Sequence, residues 1–387
     1  MSSGDLGTTA FGGARDGYAG DASLAERFRR HADALDRGRR SPLYVELMRG
    51  AATDLDGGGV VRELFDGIPV PPGSVPTLRL MAALHRLVLV GRAPRLASHY
   101  PSAGGTKPPV DAWPSAAATQ RERFDEVRER LTLTVQTNEP GRAVVLYCVL
   151  LWLSERHRLP VRLLEIGASG GLNLLVDRFA YRVDGVLLGD VASPLVFDEP
   201  WEGRPVPDPS AAARSLRISR RAGCDLAPLH LASAEDRLTL RSYLWPDELD
   251  RLGRIDAALD VAARYPPRVA ACAAERWLPR VLAPPRAGEL TVIWQSVVRQ
   301  YVPADAWAAI EQAIEEAAGA ATPEAPLAWV TMEPDGHPLS RFALRATTWP
   351  GGVRSRLADT GDHGPPVRWH RSAPSASKSV SDYGGRR

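Results

Sequence analysis

The stretch "LLEIGASGGLNLL" sets a carboxylate, Glu165, two residues ahead of Gly167, with Ser169, Gly170, Gly171 and Asn173 close behind. Residues of these types at this spacing suit two chemistries. In one, the glycines let the backbone turn sharply and approach a ligand closely, and the following helix offers free N–H groups to its polar portion. In the other, "GASGG" is a G-x-S-x-G elbow with Ser169 as nucleophile and His230, His337, His363 or His370 as its base. A phosphate-cradling Walker loop is excluded, because no Gly-Lys-Ser/Thr follows, and Ser169 replaces the second glycine of a dinucleotide fingerprint. The hydrolase reading is the weaker one. Residues 1–160 supply no earlier strands for a hydrolase sheet, and no His-Gly-Gly oxyanion segment precedes the serine.

Other chemistry-bearing residues fall at matching places along the chain. "VQTNEPGR" carries Gln136, Asn138 and Arg142 ahead of a very apolar helix. Thr137 or Asn138 capping that helix explains one polar residue, and the excess suggests contacts with a ligand over the loop. Asp225, in "GCD", is expected after the second strand, where a carboxylate would accept ribose hydroxyls. Asp184 belongs to an Asp-Gly turn, and Asp247 in "WPDE" reads as a helix cap. Gln295, Ser296 and Tyr301 follow a later strand, and Glu333 ends the next. All four are candidates for orienting or deprotonating a substrate. His85 on an apolar helix face is expected in the core, while Tyr100 and Ser102 of "YPSAGG" are candidates for a lid.

The elements that must position these groups divide at Pro160. Before it, "LAERFRRHADAL", "SPLYVELMRGAATDL", "TLRLMAALHRLVLVG" and "QRERFDEVRERLTL" repeat apolar residues every three or four positions, as helices do. A Pro- and Gly-rich loop at 97–115 links them. After it, "VRLLEIG" reads as a buried strand followed by a helix over 171–179. "AYRVDGVLLGD" reads as a hairpin. "SLRIS", "LTLRSYLW", "ELTVIWQS" and "LAWVTMEP" are further strands. "PDELDRLGRIDAALDVAARY" and "PADAWAAIEQAIEEAAG" are helices, and "FALRATTWPGG" with "PVRWH" forms a closing antiparallel pair. Strands alternating with helices predict an α/β fold with a mostly parallel sheet. The boundaries are tails at 1–20 and 371–387 expected to be disordered, a helical region at 21–159 and an α/β domain at 160–370.

Composition bounds the partners. The 387 residues are 44% apolar and 24% charged, with a net charge of +2, which argues against a nucleic-acid binder working through its overall field. Only two of the 48 basic residues are lysines, Lys107 and Lys378. Three separated cysteines suggest neither a disulfide framework nor a structural metal. The longest apolar run is too short to span a bilayer, and no secretory h-region opens the chain. A cytoplasmic protein acting on a small molecule is expected, either alone, as a homodimer or with a protein partner.

The acidic-x-Gly-x-Ser/Gly-x-Gly form at Glu165 resembles the first motif of class I S-adenosylmethionine-dependent methyltransferases. "SPLYVELM", "HYPSAGG", "VQTNEPGR", "LLEIGASGGLNLLVDRFAYR", "GCDLAP", "SYLWPDE" and "VIWQSVVRQYVP" together resemble the bacterial family called domain of unknown function 2332, common in actinobacteria, over residues 24–369. That resemblance implies a helical amino-terminal part on a Rossmann-like, methyltransferase-type sheet. The family pattern has His before the serine where this chain has Gln295, so a base at that position is missing here. The function expected is small-molecule transfer, with S-adenosylmethionine as methyl donor and Glu165, Gly167, Ser169, Gly171, Asn173 and Asp225 around it. Another adenosine-bearing donor such as a sulfo donor, a ring-closing enzyme, and a non-catalytic partner subunit are the alternatives.

Overall fold

The computed structural model describes residues 22–71, 73–335 and 341–370. The expected tails and the candidate His337 lie outside them. Twelve strands follow Pro160: β1 Val161–Ile166, β2 Ala180–Val183, β3 Val186–Gly189, β4 Val196–Asp198, β5 Trp201–Glu202 and β6 Ile218–Asp225, then β7 Val269–Ala271, β8 Leu290–Ser296, β9 Leu327–Pro334, β10 Phe342–Trp349, β11 Val353–Gly361 and β12 Gly364–Trp369. Nine of them form one sheet in the order β5-β12-β11-β10-β9-β8-β1-β6-β7, and β3-β2-β4 form a second. From β9 through β7 every pairing is parallel, while β9 to β12 run antiparallel. The chain is thus a mixed α/β protein with a mostly parallel central portion and an antiparallel end.

Both faces of that sheet are covered, which is why every residue of β1 and β8 is buried, Arg162 and Glu165 included. One face, with Leu163, Val292, Trp294 and Met332, packs on the helix Arg142–His157, whose first thirteen residues are all buried. The other, with Leu164, Ile166 and Ile293, packs on the helices Ala274–Leu282 and Ala304–Gly319. Helices Leu24–Arg37, Pro42–Asp56 and Pro76–Leu89 share a separate core with Phe28, Leu47 and Leu84. Trp245, from the far side of the chain, completes that core. Among the described residues no helix is long and apolar enough to cross a membrane.

Several expectations are corrected. "LTLRSYLW" lies largely in the helix Ala234–Ser242, because Ser233 caps its first turn and Glu235 and Asp236 suit the helix amino end better than apolar alternation suits a strand. The strand expected at "SLRIS" starts later and runs on through Asp225, so "GCD" lies in it rather than after it. After the glycine loop the chain forms a 3-10 helix, Leu172–Arg178, with a non-helical Leu175, and enters β2 at once. The closing pair is a three-stranded meander, since the charged "VRSRLADTG" forms β11 between β10 and β12. "QRERFDEVRERLTL" breaks at Arg123 into Ala112–Glu122 and Phe124–Leu131. The hairpin at Asp184-Gly185 is as expected, with both residues at positive φ (49° and 76°).

Candidate functional site

Strand β1 delivers Glu165 to the carboxyl edge of the sheet, 2% exposed and on the face covered by the helix Arg142–His157. Asn173 Nδ2 donates to Glu165 Oε1 at 3.4 Å. The remaining oxygens, Glu165 Oε2 and Asn173 Oδ1, are buried with no hydrogen-bond partner. Burial pushes the Glu165 carboxyl up to about 8, and the Asn173 bond and the Arg142 charge pull it back only in part.

The glycine loop beyond it is closed by the protein itself. Gly167, Ser169 and Gly171 adopt positive φ (68°, 50° and 79°), which for Ser169 is a strained conformation. Asp225 Oδ2 accepts the Ser169 N–H at 2.9 Å, and its Oδ1 accepts the Ala227 N–H at 3.0 Å. Gln136 accepts from the Ser169 hydroxyl and donates to the Ala227 carbonyl at 3.1 Å. Asn138 Oδ1 accepts the Leu172 N–H at 2.8 Å, so it ties down the loop rather than capping its own helix, which begins at Arg142 behind Gly141. A Cβ on Gly167 would lie 2.4 Å from Val298 Cγ2, and one on Gly170 would lie 2.6 Å from Leu231 Cδ2. One on Gly171 would lie 2.8 Å from Pro267 Cβ. The glycines therefore do permit the sharp turn, but the close approach they allow is to the protein's own side chains. The Ser169 hydroxyl faces a glutamine, and among the described residues it bonds no histidine.

The neighbouring strand ends form a second network. Gln295 accepts from Trp329 Nε1 at 3.0 Å and donates to Glu333 Oε1 at 3.0 Å. Glu333 Oε1 also accepts the N–H groups of Val298 and Arg299, at 3.1 and 3.2 Å, while its Oε2 is buried without a partner. Burial raises the Glu333 carboxyl despite those bonds. These contacts fix the turn after β8, where the β-branched Val297 is held at φ 55°. Ser296 is buried and uses its carbonyl to accept from Arg142, whereas Tyr301 is 38% exposed at the rim.

Arg142 joins these networks. Buried at the start of its helix, it donates through Nε to the Asp362 carbonyl at 3.0 Å and through Nη1 to the Ser296 carbonyl at 3.4 Å. Among the described residues no carboxylate lies within ion-pairing distance of it, and Glu165 and Glu333 both feel its charge. A buried cation bonded only to carbonyls is suited to an anionic group. The expected set thus divides. Glu165, Asn173, Arg142 and Glu333 keep unfilled bonding capacity, while Gln136, Asn138, Ser169 and Asp225 bond one another or the loop backbone and Gln295 bonds Trp329 and Glu333. Sequence reasoning passed over Glu139 and Asp362, and His363, a candidate base for Ser169, instead meets Arg40. Glu139 pairs with Arg251 at 2.7 Å, and the only signal for it was its place in the polar "QTNEPGR" string. His85 is a core histidine, bonded to Ser102 Oγ at 2.8 Å and to the Leu244 carbonyl at 3.0 Å.

A family model described as "Uncharacterized protein conserved in bacteria (DUF2332)" matches residues 25–369. No curated protein and no solved structure matches the chain.

Proposed function

With residues 25–369 matched, the chain belongs to that bacterial family, and on this premise we propose that it is a small-molecule transferase with S-adenosylmethionine as donor. The observation that carries the reading is the pair of buried acceptors, Glu165 Oε2 and Asn173 Oδ1, beside a buried Arg142 that lacks a carboxylate partner. Leaving such atoms unmatched costs about 1–3 kcal/mol each, so a ligand bearing both an ammonium and a carboxylate suits the place. Its amino-acid end would lie between Glu165 and Arg142. Asp225, partly exposed, accepts one N–H on each oxygen and keeps lone pairs for ribose hydroxyls.

When bound, such a donor supplies an electrophilic methyl group. The chain's own residues position and shield. The latched loop fixes the donor's orientation without a later rearrangement, which is how proximity contributes to rate. Glu333 Oε2 and the Tyr301 hydroxyl orient the acceptor at the rim. Gln295 acts through Glu333 and holds the turn rather than moving a proton.

Calorimetric titration of the full chain with S-adenosylhomocysteine tests the reading. Micromolar binding is expected, weakened at least tenfold in Glu165→Gln, a substitution that keeps size but cannot become a carboxylate when an ammonium binds. Adenosine 3′-phosphate 5′-phosphosulfate is titrated in parallel. If it binds and S-adenosylhomocysteine does not, the sulfo-donor alternative replaces this one, and if neither binds the reading falls. Gly167→Val is unsuitable here, because it collides with Val298 whatever the loop binds.

A further inference from the structure

On the other side of Arg142, a cavity of about 550 Å³ opens between the helical region, the amino end of the helix Leu249–Arg264 and the β11–β12 turn. Its size is that of a small-molecule site. The walls are built from charges that neutralise each other. Arg40 bonds both oxygens of Asp362 at 3.0 and 3.1 Å and lies 4.2 Å above the Trp245 ring. Arg251, buried, is held by Glu139 at 2.7 Å and by Glu248. His363 is kept neutral by burial and by Arg251, Arg40 and Arg142, and its Nδ1 meets Arg40 at 2.6 Å.

Against that background some groups stand apart. Arg254 lines the cavity, has a buried Nε with no hydrogen-bond partner, and has no carboxylate within ion-pairing distance among the described residues. Asp247 also lines it; its carboxyl meets the Ser41 hydroxyl and the Leu43 N–H at the start of the helix Pro42–Asp56, but no cation among the described residues. It does not cap the helix Leu249–Arg264, whose amino end has no side-chain cap. Behind Asp247, outside the cavity lining, lie Tyr44 and Tyr100, 1% and 0% exposed, with hydroxyls buried without a hydrogen-bond partner. Tyr44, Tyr100 and Asp247 come from "SPLYVELM", "HYPSAGG" and "SYLWPDE", segments far apart in the chain that the donor site leaves unused. The cavity wall thus carries a carboxylate and a guanidinium with no ion pair between them or to any other group among the described residues.

We infer that this cavity binds a small zwitterion, its amine held by Asp247 and its anionic group held by Arg254. The amine is the part that gives Asp247 the cation it lacks, and a carboxylate or phosphate is the part that matches a planar guanidinium. The cavity wall and the donor site share the β11–β12 turn, since Arg142 donates to the Asp362 carbonyl and His363 abuts Gly141.

The test is thermal melting and calorimetry of the full chain, without any nucleotide, against phosphoethanolamine and 4-aminobutyrate, with ethanolamine and inorganic phosphate as half-ligands. At least one zwitterion at millimolar concentration is expected to raise the melting temperature, and each half-ligand to bind at least tenfold more weakly. Arg254→Gln and Asp247→Asn should each weaken the zwitterion at least tenfold. Arg254 has no ion pair to lose, so its variant should fold normally. Three results would overturn the inference: no zwitterion binds, phosphate alone binds as tightly, or binding survives both substitutions. None of the probes contains adenosine, so failure here leaves the donor site standing, and failure of the donor titration leaves this cavity standing.

Discussion

The glycine loop and the arginine-walled cavity flank the same residue, Arg142, yet treat their polar groups in opposite ways. In the loop, Gln136, Asn138, Ser169 and Asp225 bond one another or the loop backbone, and Val298, Leu231 and Pro267 occupy the space beside the glycines. In the cavity, Asp247 and Arg254 have no ion-pair partner among the described residues, and behind Asp247 the Tyr44 and Tyr100 hydroxyls have no hydrogen-bond partner. The difference teaches that a motif rich in polar residues and glycine first announces a turn that must be held. Unmet bonding capacity is the better sign of a ligand, and it belongs to residues with no local pattern.

Substitutions can sharpen or break this contrast. The largest effect is expected from Gly167→Val, which adds a branched side chain at φ 68° and 2.4 Å from Val298. Overpacking and left-handed strain together should cost about 4 kcal/mol, read as a lower denaturant midpoint. Val298→Ala in the same chain should restore part of it. No rescue would mean that the loop is not closed by Val298.

Next comes Glu139→Ala at the cavity wall. Burial pushes the Glu139 carboxyl up, but the Arg251 charge and the Gly141 N–H outweigh it and hold it below the usual range. Removing this partner of a buried pair should cost about 3 kcal/mol at neutral pH. Because that carboxyl is depressed, its contribution is present above the ordinary carboxylate range and lost as pH falls through the folded value, so the variant should converge on wild type in acid. A variant as stable as wild type at neutral pH would show that the wall is not a structural ion pair.

The smallest effect has the opposite pH signature. Glu165 is raised to about 8, so the folded chain holds its proton more tightly than the unfolded one. Its stabilising contribution is full below the ordinary carboxylate value near 4.5 and is lost as pH rises toward about 8. Glu165→Gln should flatten that decline and be the more stable of the two proteins at pH 8. Urea midpoints of both proteins across that range check it, and parallel curves would refute a buried, unpartnered carboxyl.

The sheet core was legible, because β1, β8 and β9 are mainly apolar stretches, β1 and β9 each preceded by Pro. β11 was not, since "VRSRLADTG" is a charged strand near the sheet edge whose pairing with β10 is decided by tertiary contact. At the site, Glu165 and Arg142 could be found because they adjoin a glycine loop and an apolar helix. Ser41, Tyr44, Tyr100, Asp247 and Arg254 could not be grouped from the sequence. Only the packing of the helical region against the rest brings them together, and Asp247 carried a capping pattern that the helix does not use.

The helix Arg142–His157 has buried side chains all around it, and what buries them includes β8 and β12, which follow it in the chain. During synthesis it therefore emerges well before its covering exists. The last strand of the sheet ends at Trp369, about two hundred residues later, so at about 5–20 residues per second the helix waits about 10–40 seconds. A nascent chain of this protein should engage holding chaperones during that interval, and its yield should respond to their supply more than the stability of the finished fold would suggest.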